Sequence, residues 1–222
     1  MIPSPLSAAP MPPVQLSSEW RYEMRREAQL IIPHLWLGPF QSSLKKDWLK
    51  EQGITHILCI RDQREAMLIK PRFPGEFQYM TLDISDNTDQ NLITIFPQCR
   101  AFIDEAINGG GTVLAHCNGG ISLSPAIVIG YIMWKNNWTY DNTLAFVQSR
   151  RYCVSPISFQ IQLKEYEPIY LAQKMIEQHG AANGTRSKRG MADDDEDDEE
   201  RGPRKMTFSP IDEDEDEDES ME

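Results

Sequence analysis

Cysteine is scarce in this 222-residue chain: four residues, at 59, 99, 117 and 153, with no C-x2-C pair and no histidine pattern beside them. That scatter excludes the usual zinc-ligand spacings and a dense disulfide framework, and it points to a reducing compartment inside the cell. No metal ion and no cofactor is expected. Long apolar runs are missing too. The longest, Ala126 to Trp134 with one glycine, is far below the roughly 20 residues that a membrane-spanning helix needs. The opening MIPSPLSAAPMPPVQLSS lacks a charged start followed by an apolar stretch, so no secretory leader is expected. Nor is there a basic excess. The net charge is -12, and residues 181–222 hold 17 acidic and 6 basic residues, which leaves 17 acidic and 16 basic in residues 1–180. A nearly neutral remainder argues against a nucleic-acid-binding domain, and a membrane is not expected as a partner.

What is present suits one globular domain of about 150 to 180 residues with flanking segments. The Pro/Ser-rich residues 1–19 bury little and are expected to be disordered, with Trp20, Tyr22 and Met24 as the first core anchors. The domain is placed at 20–180. Beyond it, DDDEDDEE and IDEDEDEDE repel themselves, so 181–222 is expected to be a disordered acidic tail. Two basic clusters, RSKR and RGPRK, flank the first acidic run and read either as a divided nuclear-import signal or as solubilising charge. Ser209-Pro210 offers a phosphorylation site. The expected location is therefore cytoplasm, nucleus or both.

Within the domain, Ile54 to Ile60, Tyr79 to Leu82 and Thr112 to Ala115 read as buried strands separated by helix-length segments, an α/β pattern. Leu92, Ile95, Phe96, Cys99, Phe102, Ile103 and Ala106 share one helical face that ends at Gly109 to Gly111. A helix is expected to open at Ser124 and Pro125, a good N-cap and a favoured first helical residue. Further helices are expected over Tyr140 to Arg150 and Ile157 to Gln178.

The segment VLAHCNGGISLSPAIVIGYIM carries an apolar strand into an apolar helix through a glycine-containing loop. Such a junction aims backbone N–H groups and the positive end of the helix dipole at one point, which binds anions. A cysteine at its head has its thiolate stabilised by the same groups and becomes nucleophilic. Cys117 stands there. Taken alone it reads first as a small buried hydrophobe at a strand end.

The residues around it carry a resemblance. His116, Cys117, Gly120, Ser122 and Ser124 resemble the H-C-x2-G-x-S-R-S signature of the dual-specificity protein phosphatases, a family of cysteine-dependent protein tyrosine phosphatases, with Leu123 in place of the arginine. IIPHLWLGPF, GITHILCI, LDISDN, FIDEAINGGGTVLAHC, AFVQSRRYCVSP and LKEYE resemble the same family in the same order, over roughly residues 20 to 175. Within the family the sequence most resembles the serine/threonine/tyrosine-interacting proteins, regarded as inactive, through EWRYEMRRE, LGPF, GITHILCIR and LDISDN. Those proteins usually lose the cysteine and keep the arginine; here the reverse holds.

The resemblance implies a central, mostly parallel sheet flanked by helices, with the phosphate loop between a strand and a helix. It implies Cys117 as nucleophile, Asp86 as general acid, Ser124 assisting departure of the thiolate, and His116, Asn118, Gly119, Gly120, Ile121 and Ser122 as the phosphate-binding loop. Asp86 also reads as a turn-former in ISDN, with Asp83 as a weaker substitute. His116 reads either as a loop-holding group or as a hydrogen-bonded core residue. Leu123 supplies neither charge nor donor, so a charge-assisted fork that tightens in the transition state is lost. Arg150 and Arg151, before YCVSP, are the conceivable replacements. The expected function is a pseudophosphatase, a binding module for signalling proteins such as phosphoproteins or protein kinases. A weakly active protein tyrosine/serine/threonine phosphatase is the alternative.

Overall fold

Strand β3, Ile54–Arg61, is buried at every residue from Ile57 to Ile60. Continuous burial, rather than alternation, is what a parallel strand covered on both faces requires. On one side β3 pairs in parallel with β5, Thr112–Cys117, which is buried throughout; on the other it pairs in parallel with β4, Gln78–Asp83. Strand β5 in turn pairs in parallel with β2, Leu35–Pro39, and β2 carries the antiparallel edge strand β1, Gln29–Ile32. The order β1-β2-β5-β3-β4 gives the mostly parallel α/β sheet that the sequence implies. The computed structural model describes residues 7–12, 22–85 and 90–184. Most of the two ends expected to be disordered, together with Trp20 and Asp86, lies outside the described residues.

Short helices α1, Phe40–Ser43, and α2, Lys46–Glu51, join β2 to β3. Helix α3, Phe96–Asn108, begins four residues after Leu92, because Pro97 has no N–H to donate and sits in the first turn. Leu92 and Ile95 belong instead to the turn before it, where Ile95 N donates to Leu92 O at 2.9 Å. Helix α4, Leu123–Asn136, starts one residue ahead of the expected Ser124-Pro125 opening, with Ser122 as its N-cap. Pro125 is thus its third residue, where the absent N–H is still one of the four that a helix start leaves unpaired. Every residue of α4 from Leu123 to Met133 is buried, since the sheet, α3, α5 and α6 enclose it.

Helix α5, Tyr140–Gln148, is capped by Thr139, whose side chain accepts from Asn142 N. Helix α6, Ile157–Gly184, runs beyond the expected end at Gln178. Its inner face closes the core: the Tyr166 ring lies 4.5 Å from that of Phe96, and Tyr170 Oη donates to Trp138 O at 2.9 Å. Residues 7–12 form no regular element, and Ala9 is tied to the end of α4 by Ala9 N to Asn136 O at 2.9 Å and Trp138 Nε1 to Ala9 O at 2.7 Å. Tyr22, expected as a core anchor, is instead exposed, and its ring carries the Arg25 guanidinium at 3.4 Å. Both belong to a 3-10 turn, Tyr22–Arg26, that precedes β1.

Candidate functional site

Cys117 ends β5 and Leu123 begins α4, so residues 118 to 122 make the whole connection. Four consecutive carbonyls of this loop are held from behind. Asn118 O accepts from Phe40 N at 3.0 Å, Gly119 O from Arg151 Nη2 at 3.0 Å, Gly120 O from Arg151 Nε at 2.8 Å and Ile121 O from Val154 N at 2.9 Å. No peptide bond among the described residues is cis, and in a trans peptide the N–H points opposite to its carbonyl. The N–H groups of residues 120 and 121 therefore turn away from Arg151, which is not among the residues that line the cavity beside Cys117, Asn118, Gly119, Ile121 and Ser122. Gly120 is required twice over. Its φ is +63, and a Cβ there would stand 2.3 Å from Gly38 O and 2.7 Å from Arg151 Nη2.

Ser124 Oγ donates to Cys117 Sγ at 3.2 Å, with both side chains buried. His116 stands beside Gly38 on one neighbouring strand and Cys59 on the other, with its ring 5.7 Å from Phe40. Burial lowers its pKa to about 4, a hydrogen bond with the Cys117 backbone opposing that more weakly, so the ring is neutral at physiological pH. Its Nδ1 has no partner among the described residues.

Leu123 is 8% exposed; it joins the core cluster and also lines the cavity. Neither Arg150 nor Arg151 is delivered in its place. Arg151 lies behind the loop, 1% exposed, and spends all five N–H donors. Nε and Nη2 hold the loop carbonyls, Nη2 also reaches Arg25 O, and Nη1 donates to Glu27 O and Gln29 Oε1. Arg150 turns away, its guanidinium 3.9 Å over the Phe146 ring. Neither substitutes for the missing fork.

The cavity in front of the loop has a volume of about 740 Å³, and its opposite wall is Asp62, Arg64 and Glu65 from the segment after β3. Arg64 donates from Nε and Nη2 to the two Asp62 oxygens, 3.0 Å each, and holds that carboxyl down at about 2. Glu65 Oε1 accepts from the Asn118 side-chain amide at 2.6 Å, which sets a carboxylate against the loop. Nothing in the sequence marks these three residues, 52 to 55 positions before Cys117, as part of the site. Asp83, the weaker general-acid candidate, accepts from Arg61 Nε at 2.7 Å. Asp86 lies outside the described residues. No group of three or more histidine, cysteine or acidic residues placed to hold a metal ion occurs among the described residues, and no helix there is long and apolar enough to cross a membrane.

Comparisons with known proteins agree with this geometry. The family model "Dual specificity phosphatase, catalytic domain" matches residues 35–169. The chain is 48% identical over 164 residues to the serine/threonine/tyrosine-interacting protein of Mus musculus, covering 72% of this chain and 74% of that one. It is 35% identical over 154 residues to dual specificity protein phosphatase 1B of Arabidopsis thaliana, covering 69% of this chain and 89% of that one. Among solved structures it resembles the human tyrosine phosphatase-like serine/threonine/tyrosine-interacting protein, with a TM-score of 0.64 and 48% identity, covering 66% of this chain and 99% of that one.

Proposed function

This chain belongs to the dual-specificity phosphatase family, resembling its serine/threonine/tyrosine-interacting proteins, and from that premise we propose that it is a pseudophosphatase, a binding and regulatory module for signalling proteins. The observation that carries the proposal is Leu123. A hydrocarbon side chain occupies the arginine position of the loop, and Arg151, the arginine bonded to that loop, has no donor left. Removing one well-placed donor from an oxyanion site costs about 2.7 to 4 kcal/mol, or 10² to 10³ in rate, and a guanidinium fork is worth at least as much. The Glu65 carboxylate beside Asn118 opposes a phosphate dianion further.

A binding role has its own support. Met67 and Leu68, just beyond Glu65, are 82% and 71% exposed, while Val154 and Ile157, on the segment that bonds Ile121 O, are 50% and 76% exposed. Exposed apolar side chains on both flanks of a cavity mark an interaction surface. Phosphoproteins and protein kinases are the partners proposed. All four cysteines are free thiols, which accords with the cytoplasm or nucleus as the location.

A second reading, a slow phosphatase using Cys117 as nucleophile with Ser124 assisting and Asp86 as general acid, is favoured by the Ser124–Cys117 hydrogen bond and the loop N–H groups turned away from Arg151. An aryl phosphate assay on the purified chain and on Cys117→Ser decides. Near-background turnover in both is expected; clear wild-type turnover that vanishes with Cys117→Ser would establish the second reading instead.

A further inference from the structure

A second cavity, of about 310 Å³, opens beside the first, and Asn118, Gly119 and Ile121 line both. The two differ in charge. In the larger, Arg64 is neutralised by Asp62, which leaves Glu65 facing an uncharged amide. In the smaller, Arg25 and Arg26 stand in the lining and no carboxylate does; Glu23 and Glu27, on the same stretch of chain, are exposed and outside it. Neither arginine makes an ion pair among the described residues.

The smaller cavity is also built rather than incidental. The Arg25 guanidinium carbon lies over the Tyr22 ring, 3.4 Å from its centroid, and a guanidinium held on an aromatic ring still has N–H donors to fork onto an anion. The main chain beneath is fixed, because Arg151 bonds Arg25 O and Glu27 O with the same group that holds the loop. Pro39, Phe40 and Ile121 give the wall an apolar stretch, beside the polar Gln41 and Asn118. Two cations over an apolar stretch match an aryl phosphate: a ring to cover the stretch, a phosphoryl group to meet the forks.

We propose that this cavity, and not the signature loop, is where the chain holds phosphate, taking the phosphotyrosine side chain of a partner with its ring on Pro39 and Phe40 and its phosphoryl group between Arg25 and Arg26. The proposal rests on the reading that the chain binds phosphoprotein without hydrolysing it. Phosphate recognition has then moved one pocket along, to the face of the loop where positive charge remains.

The test is a titration of the full-length, isotopically labelled chain with phenyl phosphate, followed by nuclear magnetic resonance at the arginine Nε–H groups and the loop amides. Saturable shifts are expected at Arg25, Arg26 and Gln41. The apparent affinity should fall at least tenfold in Arg25→Ala/Arg26→Ala, with the α4 and β5 amides unmoved to show an intact fold, and should stay within twofold in Arg64→Ala. Shifts centred on the amides of 119 to 122, with an affinity indifferent to the two arginines, would return phosphate binding to the loop and overturn the proposal. So would equal binding of phenylacetate, which would make the site one for acidic side chains, or the absence of saturable shifts. Release of inorganic phosphate during the titration sinks the pseudophosphatase reading instead, independently of where the shifts fall.

Discussion

Arg151 Nε donates to the carbonyl of Gly120 at 2.8 Å, from outside the cavity that Cys117 lines. The same guanidinium bonds Gly119, Arg25, Glu27 and Gln29, so one buried cation ties the 3-10 turn, the start of β1 and the loop to the segment after α5. A lone buried charge is costly, and here five oxygens offset that cost. Burial lowers its pKa to about 10, which still leaves it protonated at neutral pH.

Arg151→Ala leaves those oxygens without their donor and should lower the stability of the chain by about 3 kcal/mol or more. Arg151→Lys should recover less than half of that, because an ammonium presents its donors from a point and cannot span both sides of the clamp. Urea unfolding measures both variants. A loss below about 1 kcal/mol in Arg151→Ala would show that the loop holds its shape without the clamp.

His116 gives stability a pH dependence of definite sign. An unfolded histidine titrates near 6.5, whereas the buried ring titrates at about 4. Between those values the unfolded chain takes up a proton that the native chain refuses. The contribution is therefore complete above about pH 6.5 and is lost progressively toward pH 4, by about 2 kcal/mol at pH 5. Unfolding midpoints at pH 7 and pH 5 should show this loss in the wild type and a reduced one in His116→Gln; equal losses would place the titration elsewhere.

The four thiols should separate chemically. Burial pushes Cys59, Cys99 and Cys153 up to about 12, so they remain protonated at neutral pH. Cys117 alone of the four lines the open cavity. Iodoacetamide on the folded chain, followed by peptide mass mapping, should modify Cys117 first and the other three only under denaturant. Simultaneous labelling of Cys59 would show that the sheet opens on the timescale of the reaction.

The sequence revealed those parts of the molecule whose causes are local. Strands β3 and β5 announced themselves as apolar runs because both faces are covered, and α3 through its spacing of Phe96, Cys99, Ile103 and Ala106. The start of α4 was displaced by one residue because Ser124, an apt cap by type, is committed to Cys117 instead. The loop itself was legible as a motif, but its surroundings were not. Glu65 meets Asn118 across 53 positions and Arg151 meets Glu27 across 124; such pairings are set by tertiary packing and leave no periodic trace in either segment. Arg151 had been a conceivable stand-in for the missing fork; only its direction of approach, from behind the loop, made it a clamp.

Restoring the fork tests whether Leu123 is the only defect. Leu123 packs in the core cluster but also borders the cavity, so an arginine placed there has a route from the core into open space. Leu123→Arg should therefore raise aryl phosphatase activity, by on the order of the 10² to 10³ that is the least such a fork is worth. The Glu65 carboxylate beside Asn118 would compete with phosphate for the new guanidinium. Leu123→Arg/Glu65→Gln should accordingly exceed Leu123→Arg about tenfold, since freeing the fork from a carboxylate at hydrogen-bond range is worth about 1.4 kcal/mol or more. Cys117→Ser must abolish the gain in both, and Asp86→Asn should reduce it if Asp86 is the general acid. Equal rates in the single and double variants would show that Glu65 does not oppose phosphate, leaving the loss of one guanidinium as the whole of the lesion.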